Sequence, residues 1–432
     1  MVQLALAPEA SPAPMPDDLL GLFMSYTDGV PTPDQFRRWA GISLIAGALE
    51  RRVFIRTGRG QSYASLYVLL VAMPGIGKKV IEVVEDLWSS TCEPGTSRQA
   101  LRLAPHNVTK ASLIDALVKS KQVRVPPVGG AMTYHCLNIA SEEFSVLLPN
   151  YDNEFINTFN KIWNNPPNYF ETRRTGTAKE VAVEAPMINM IAGYQPAMMA
   201  TTFPEEAWSS GWSRRLIMIY AGERVFKDLF YEPPEMDAQR TELLGRLEAL
   251  TGLFGEFRWA PDARAFIGRW DEQGGPPAPT HAKLVQTYCQ SRTELVVRLC
   301  LTSAASRGQG LAGAPRLIDL IDVKRAIAWL TEAERDMPDI FQAMTGRSDS
   351  AVLDELHWYA VVQFGKRKNN PLPKSVLMRF LVTRVPSDRV ERVLAAALSA
   401  GYIDRIAGTG GDWGTDESAM YVPKARNEWD LG

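Results

Sequence analysis

The sequence predicts an α/β fold with a largely parallel sheet, followed by an all-α segment and a C-terminal winged helix. Apolar runs of strand length alternate with helical patterns in the first half of the chain, as expected for parallel strands covered by helices on both faces. Long helical patterns replace the strands after residue 235. Beyond residue 346, short helical patterns precede a strand hairpin, which is the element order of a winged helix.

Apolar spacing assigns the elements in order. Helical spacing covers Asp17 to Tyr26 and Pro33 to Leu49, and the alternation from Arg51 to Arg56 is typical of a strand. The run from Leu66 to Val71 is almost continuously apolar, as in a strand buried on both faces. Further strands are expected at 134–140, 187–192 and 216–220, and a hairpin at 168–184. Helices are expected at 112–119, with Thr109 before it as the cap candidate, and at 154–163, 239–253, 281–306 and 323–344. The C-terminal region is expected to contain helices at 351–364, 373–383 and 387–400 and strands at 401–406 and 419–423.

Composition is that of an ordinary globular protein. The chain has 432 residues, of which 46% are apolar and 22% charged, and its net charge is −2. A chain of this length is expected to form roughly two to four domains with a large buried core. Because the net charge is slightly negative, any contact with nucleic acid requires local basic patches.

The cysteine and hydropathy patterns argue against metal, disulfide and membrane proteins. The four cysteines lie far apart and form no CxxC pair, and the four histidines form no HxxxH motif. No apolar run reaches the roughly 18 residues that a membrane span needs. The Ala/Pro-rich beginning of the chain lacks the basic region of a signal peptide. The sequence therefore indicates a reduced, cytoplasmic protein with no membrane partner.

A glycine-rich loop between the strand ending at Val71 and the following helix has the setting of a P-loop. Backbone N–H groups and a helix N-terminus attract phosphate there, and Lys78 is expected to reach the β- and γ-phosphates. Ala72 replaces the first glycine of the GxxxxGK[ST] pattern, and Lys79 replaces the hydroxyl residue that binds Mg²⁺, a role that lysine cannot fill. The residues expected to bind the nucleotide are Pro74, Gly75, Ile76, Gly77, Lys78 and Lys79.

Carboxylates follow the second strand of the predicted sheet. The segment Leu137–Ala140 is followed by Ser141, Glu142 and Glu143, where a carboxylate is expected to hold Mg²⁺ and polarise the attacking water. The sequence leaves open whether Ser141–Glu142 or Glu142–Glu143 occupies the catalytic register. Gln195, at the end of the third strand, is a candidate sensor of the γ-phosphate or the water; its alternative is a polar strand cap.

Several arginines are further candidates for contact with the phosphates of the nucleotide. Arg214 and Arg215 precede the last strand, where an arginine is able to reach the γ-phosphate bound by a neighbouring subunit. The alternative is a surface arginine pair. Arg298, in the helical segment, is a weaker candidate for nucleotide contact, and for Arg292 a solvated helix face is the preferred interpretation.

With these residues assembled, the chain resembles AAA+ ATPases and, more narrowly, the phage and integrative-element proteins with MCM-like helicase cores. The resemblance covers about residues 35–344. It rests on the order and spacing of the segments FRRWAGISLIAGALERRVFIR, LYVLLVAMPGIGKK, APHNVTKASLIDAL, LNIASEEFSVLL, GWSRRLIMIY and DVKRAIAWL.

The resemblance implies a hexameric ring around DNA that couples ATP hydrolysis to strand movement. It implies that Lys78 and Glu142 or Glu143 act in cis and that Arg214 or Arg215 acts in trans. It also places the tip of the 168–184 hairpin in the ring pore, against DNA phosphates. The basic residues near that tip are Arg173, Arg174 and Lys179.

The C-terminal region has a local excess of positive charge. Between residues 366 and 392 there are eight basic residues and two acidic ones, a balance that suits phosphate contact. The third helix is the major-groove candidate, with Arg389 and Arg392. The other expected DNA contacts are Lys366, Arg367 and Lys368. The alternatives are a winged helix that binds protein and a solvated basic face.

The sequence thus predicts four parts and leaves two functions open. The parts are an N-terminal arm and helix (1–32), a P-loop ATPase core (33–235), an α-helical lid subdomain (236–345) and a winged-helix DNA-binding domain (346–432). The first function is an ATP- and Mg²⁺-dependent helicase or translocase that acts on single-stranded or forked DNA with replication proteins of a phage or mobile element in a bacterial host. The alternative is a catalytically weakened AAA+ loader, initiator or DNA-binding scaffold.

Overall fold

The computed structural model describes residues 18–106, 109–126, 129–144, 153–172, 180–196, 198–199, 211–231, 234–279, 288–340, 349–382, 385, 390–406 and 419–424. The chain forms two compact units, Met1–Phe341 and Gln342–Gly432. The predicted boundary at residues 345 and 346 lies close to this division. The boundary predicted at residues 235 and 236 separates no units, because both sides of it belong to the first one.

The first unit is α/β, as predicted. Its helices are α1 (Leu19–Tyr26), α2 (Asp34–Leu49), α3 (Val80–Ser90), α4 (Lys110–Lys119), α5 (Asn153–Trp163), α6 (Met236–Thr251), α7 (Pro261–Glu272), α8 (Arg292–Ser306) and α9 (Leu320–Arg335). Its strands are β1 (Val53–Thr57), β2 (Gly60–Ser62), β3 (Tyr67–Ala72), β4 (Lys121–Arg124), β5 (Met132–Ser141), β6 (Asn168–Thr172), β7 (Glu180–Glu184), β8 (Pro186–Tyr194), β9 (Leu216–Ala221), β10 (Gly255–Trp259) and β11 (Leu317–Ile318).

The central sheet has the strand order β4–β5–β8–β3–β9. Strand β3 pairs in parallel with β8 and β9, and β5 pairs in parallel with β8. Every residue of β3 and β8 is buried, which explains why their sequences are almost continuously apolar. The edge strand β4, which the sequence did not predict, is antiparallel to β5. The prediction of a largely parallel sheet is confirmed, and the carboxyl ends of four strands meet at one edge.

Helices α2 and α3 pack together over this sheet. The inner face of α2 is formed by small and apolar residues, and nearly the whole helix is buried. The Trp88 indole of α3 is fully buried and donates a hydrogen bond of 3.0 Å to the carbonyl oxygen of Leu44 in α2. Helix α4 begins at the predicted cap, where the Thr109 hydroxyl accepts from the backbone N–H of Ser112.

A second sheet corrects the expectation that residues 236–345 are entirely helical. Strands β10 and β11 lie within that range, and the sheet has the order β11–β10–β1–β2. Strand β10 pairs in parallel with β1. Because β1 belongs to the predicted core, this pairing ties the helical region to the core through backbone hydrogen bonds.

Buried ion pairs fix the helical region in place. The Arg292 guanidinium donates to both carboxylate oxygens of Glu334, at 2.8 and 2.6 Å, so α8 is joined to α9. Arg325 in α9 donates to Asp18 at 2.6 Å, and Asp18 also accepts from the Ser306 hydroxyl. Arg292 is therefore a buried structural residue, and the preferred interpretation of a solvated helix face is wrong.

The hairpin predicted at 168–184 is confirmed. Strands β6 and β7 pair from Asn168 and Glu184 to Thr172 and Glu180. Its tip, with Arg173, Arg174 and Lys179, lies outside the described residues.

The second unit has three helices and a small sheet in its described part. Its elements are α10 (Asp349–Lys366), β12 (Leu372–Pro373), α11 (Lys374–Val382), α12 (Val390–Ser399), β13 (Ile403–Ile406) and β14 (Met420–Pro423). The sheet order is β12–β14–β13, antiparallel throughout. Apolar residues of all three helices share one core with Tyr402 and Tyr421. None of the helices in the described part of either unit combines the length and the hydropathy that crossing a bilayer requires.

Candidate nucleotide-binding site

The glycine-rich loop follows β3 at the carboxyl edge of the central sheet. Gly75 has φ of +86°, a conformation that favours glycine, while the Ile76 side chain beside it is buried. The Ile76 N–H donates to the Met73 carbonyl at 3.3 Å, so the backbone turns sharply before α3. The structure therefore has the strand, tight loop and helix in the order that a phosphate-binding loop requires.

The segment between α1 and α2 packs closely against this loop. A Cβ atom on Gly77 would lie 1.9 Å from the carbonyl oxygen of Pro31 and 3.2 Å from the Thr32 hydroxyl. Thr32 is fully buried. Gly77 is therefore needed because only glycine leaves room for the Pro31 backbone to approach the loop. A positive φ is not the reason, since Gly77 has none.

Lys78 extends from the loop toward the ends of β5 and β8. Its Nζ donates to the Tyr194 carbonyl oxygen at 3.5 Å, at the limit of hydrogen bonding. Burial lowers the pKa of the Lys78 ammonium, and the nearby Glu143 and Glu142 carboxylates oppose that shift. The side chain is half-buried, so its charge is presented in a partly desolvated setting.

Glu142 and Glu143 lie at the same edge but have different partners. The Gln195 side-chain amide donates to the Glu143 carboxylate at 3.2 Å, and the Ser141 hydroxyl donates to the Glu143 carbonyl oxygen at 3.1 Å. Burial and the adjacent Glu82 carboxyl raise the pKa of Glu142, against the lowering effect of Lys79 and Lys78. The structure thus brings both predicted glutamates and Gln195 together beside Lys78.

Sequence reasoning missed Glu82, which lies in the first turn of α3. Its carboxyl lies within hydrogen-bonding reach of Glu142. An acidic residue in a first turn is normally explained by the helix dipole, so the sequence offered no separate signal. Within the described ranges, no group of three or more His, Cys, Asp or Glu side chains could hold a metal ion. Two carboxylates still match Mg²⁺, which commonly takes one or two protein carboxylates together with phosphate oxygens.

Sequence reasoning also missed Gly193, near the end of β8. A Cβ atom there would lie 2.2 Å from the Glu142 carbonyl oxygen and 2.8 Å from the Lys78 side chain. The absence of a side chain at this position lets Lys78 and the end of β5 approach each other.

We expect Gly193→Ala to cost about 1–3 kcal/mol of unfolding free energy, because the new methyl group overpacks a backbone contact. If the predicted nucleotide site lies here, the same displacement of Lys78 and Glu142 should lower the affinity for ATP about tenfold. Thermal melts and titration with a fluorescent ATP analogue measure both effects. Gly222→Ala is the matched control, because a Cβ there meets only ordinary contacts at 3.6 Å. Equal behaviour of the two variants would contradict the role given to Gly193.

The arginine candidates lie at the opposite, amino edge of the sheet. Arg214 and Arg215 form a short 3₁₀ turn immediately before β9, whose first residue pairs with the first residue of β3. Arg298 donates to the carbonyl oxygen of Ser65, just before β3. Strand β3, whose backbone is about 17 Å long, lies between these positions and the glycine-rich loop. Arg298 is 2% exposed, so its assignment to nucleotide binding is corrected to a buried structural role.

The DNA-binding candidates of the second unit are only partly described. Lys366, Arg367 and Lys368 are exposed around the C-terminal end of α10, and Arg392 is exposed on α12. Lys368 has φ of +56°, so the chain turns sharply there. Arg389 lies outside the described residues.

Comparison with protein-family models and curated proteins identifies no family for this chain. The sequence matches no protein-family model, and a search of curated proteins finds no match either. The site must therefore be interpreted from its own geometry.

Proposed function

We propose that the chain is an AAA+-type, ATP-dependent DNA helicase or translocase that works in the cytoplasm as a homo-oligomer, in the replication of a phage or mobile element. The observation that carries the proposal is the convergence of Lys78, Glu142, Glu143 and Gln195 at the carboxyl edge of a parallel sheet. Crevices at the carboxyl ends of such strands are where α/β proteins bind their ligands. A cation on a glycine-rich loop beside carboxylates suits a magnesium–triphosphate ligand.

Each residue of the site has a distinct role in this proposal. The loop N–H groups and Lys78 bind the phosphates, and Lys78 compensates their negative charge. Glu82 and Glu142 would hold Mg²⁺, which neutralises phosphate charge when bound, and they replace the hydroxyl that Lys79 cannot supply. Glu143, fixed by Gln195, orients the attacking water. Arg214 or Arg215 serves the site of a neighbouring subunit, because both lie far from the loop of their own chain.

The second unit supports the DNA part of the proposal. Three helices followed by a β-hairpin, with a further short strand between the first two helices, is the element order of a winged helix. The cluster Lys366–Lys368 is exposed and cationic, as phosphate contact requires. We therefore propose that this unit is a winged helix that binds DNA.

We expect replacement of Lys366, Arg367 and Lys368 together by alanine to weaken binding to all duplex sequences alike. A plot of log K against log salt concentration has a negative slope, and each lost phosphate contact reduces its magnitude by about 0.9. The magnitude of the slope should therefore decrease by about 2–3 in the triple variant. Fluorescence anisotropy at several salt concentrations measures it. Lys424→Ala is the control, since Lys424 is half exposed and pairs with Asp404 at 3.7 Å. An unchanged slope in the triple variant would refute phosphate contact by this cluster.

A second candidate function is favoured by Lys79. Without the P-loop hydroxyl, the chain is also suited to hold nucleotide weakly and to act as a loader, initiator or DNA-bound scaffold. Steady-state ATPase assays with and without single-stranded DNA separate the two functions. DNA-stimulated turnover supports the helicase or translocase, whereas DNA binding without turnover supports the scaffold.

A further inference from the structure

Helix α10 of the second unit carries an exposed aromatic ring. The Trp358 side chain is 58% exposed, whereas the side chains before and after it pack into the unit. The His357 ring contacts the Tyr402 carbonyl oxygen at 2.9 Å, and the Tyr359 ring stacks on Phe380 with 4.6 Å between the ring centroids. Among the described residues, no hydrogen bond, ring contact or cation–π contact engages Trp358. A single exposed apolar side chain is common on protein surfaces, so its neighbours on the helix decide what it means.

Trp358, Val362 and Lys366 form one continuous stripe, which we call the outer face of α10. Successive positions in this set are four residues apart, so each lies about 40° around the helix from the one before it. Val362 is 47% exposed, and Lys366 is exposed as well. The stripe extends over about 12 Å of helix. It therefore presents an aromatic ring, an aliphatic side chain and a cation to solvent in that order.

The C-terminal end of this face is cationic. Lys366, Arg367 and Lys368 are exposed, and their side chains form no ion pair within the part of the chain that the structure describes. The backbone that presents them is fixed, because the Asn369 N–H donates to the Phe364 carbonyl oxygen at 3.0 Å. A helix C-terminus by itself favours cations. That effect does not explain an exposed tryptophan two turns earlier on the same face.

An exposed aromatic ring beside unpaired cations suits single-stranded nucleic acid. Bases stack on aromatic rings while cations contact the phosphates, and no base sequence is required. A duplex offers Trp358 no free base, because its bases stack on one another. Glu355 is also exposed, one turn before Trp358, and its carboxylate repels phosphate. The charges along α10 therefore direct the phosphates toward Lys366.

We propose that the outer face of α10 binds single-stranded DNA, with one base stacked on Trp358 beside Val362 and the adjoining phosphates bound at residues 366–368. The inference rests on the proposed function in one respect, namely that this unit binds DNA. It goes beyond that function because it adds a base-stacking surface on the first helix of the unit. It also assigns this surface to the single strand.

The test measures the binding of a fluorescent oligothymidine to the full-length protein by anisotropy at several salt concentrations. For Trp358→Ala we expect about tenfold weaker binding with an unchanged salt dependence, because a stacking contact is lost and no charge changes. Trp358→Phe keeps an aromatic ring and should retain most of the affinity. Both variants should melt within a few degrees of the wild type, since the ring is exposed. Val382→Ala is the matched control, because Val382 is 59% exposed on α11, outside the outer face of α10.

A probe without bases separates stacking from phosphate contact. An oligonucleotide of abasic sites keeps the phosphates, so the wild type and Trp358→Ala should bind it equally. Joint replacement of residues 366–368 by alanine should weaken binding to both probes. It should also reduce the magnitude of the slope of log K against log salt concentration by about 2, since each contact to a single strand contributes about 0.7. Weaker binding of the abasic probe by Trp358→Ala overturns the inference, as does equal binding of oligothymidine by Trp358→Ala and the wild type.

Sedimentation velocity without DNA tests a second copy of the chain as the other occupant of this face. Dissociation of an oligomer in Trp358→Ala, together with unchanged affinity for oligothymidine, assigns the face to a second copy and overturns the inference. A wild-type protein that binds duplex DNA but not oligothymidine overturns the inference alone. A wild-type protein that binds neither refutes the proposed DNA binding of the unit, which is a distinguishable result.

Discussion

Lys78→Ala is expected to abolish ATP turnover and to weaken ATP binding at least tenfold. The Lys78 ammonium contacts the carbonyl oxygen at the end of β8 and lies near the Glu142 and Glu143 carboxylates, whereas the Lys79 side chain is exposed. A hydrogen bond to a charged group contributes about 1.5–3 kcal/mol, which corresponds to roughly 10- to 100-fold in affinity. Binding of a fluorescent ATP analogue and release of inorganic phosphate measure the two effects.

Lys79→Ala is the matched control for this variant. Lys79 is exposed at the N-terminal end of α3 and makes no side-chain cap. We expect its ATP affinity to remain within a few-fold of the wild type, because its ammonium is solvated and contributes only screened attraction. If Lys78→Ala and Lys79→Ala bind ATP equally well, the phosphate cradle that we place at residues 74–79 is wrong.

The elements that the sequence predicted are those with strong local patterns. The strand after Leu66 and helix α2 follow from apolar runs that are buried on almost every side. Thr109 was identified as a cap because a hydroxyl three residues before Ser112 satisfies a free backbone N–H. In each case the sequence signal lies within a few residues along the chain.

The strands that the sequence did not predict depend on distant partners. Strand β10 is formed where residues 255–257 pair with residues 53–55, and β4 is a short, mostly polar strand in which every residue pairs with β5. Such segments have little intrinsic preference, since strand stability depends on the neighbouring strand. Local periodicity therefore assigned residues 236–345 to helices alone.

The residues of the candidate site also fall into two groups, those that the sequence predicted and those that it did not. Lys78, Glu142, Glu143 and Gln195 were predictable because each follows a recognisable strand, and parallel strands end at one edge. Glu82 and Gly193 matter only through contacts across the sheet, so no local pattern marks them. Arg298 was assigned to the nucleotide because sequence does not distinguish an exposed arginine from one that bonds two buried carbonyl groups.

Glu142→Gln is expected to retain ATP binding in the absence of Mg²⁺ and to lose about 10³-fold in turnover. Burial and Glu82 raise the pKa of Glu142, which indicates that the pair of carboxyls resists carrying two negative charges without a cation. Removing one of these charges relieves repulsion toward a metal-free triphosphate, so the affinity for ATP without Mg²⁺ should stay the same or rise, whereas Mg²⁺-dependent binding should weaken. Turnover should fall because a ligand for Mg²⁺ is lost, while Glu143 stays in place to orient the water.

Glu82→Gln tests whether α3 supplies the metal ligand that Lys79 cannot. If Glu82 shares Mg²⁺ with Glu142, the Mg²⁺ concentration for half-maximal turnover should rise about tenfold, since one charged contact of about 1.4 kcal/mol is lost. Metal-dependent binding of ATP, measured by calorimetry with and without Mg²⁺, should weaken in parallel. Glu85→Gln, one turn further along the helix beside His106, serves as control and should leave both unchanged. An unaltered Mg²⁺ requirement in Glu82→Gln would assign the metal to Glu142 and phosphate oxygens alone, and would leave Glu82 as a first-turn residue that stabilises the helix dipole.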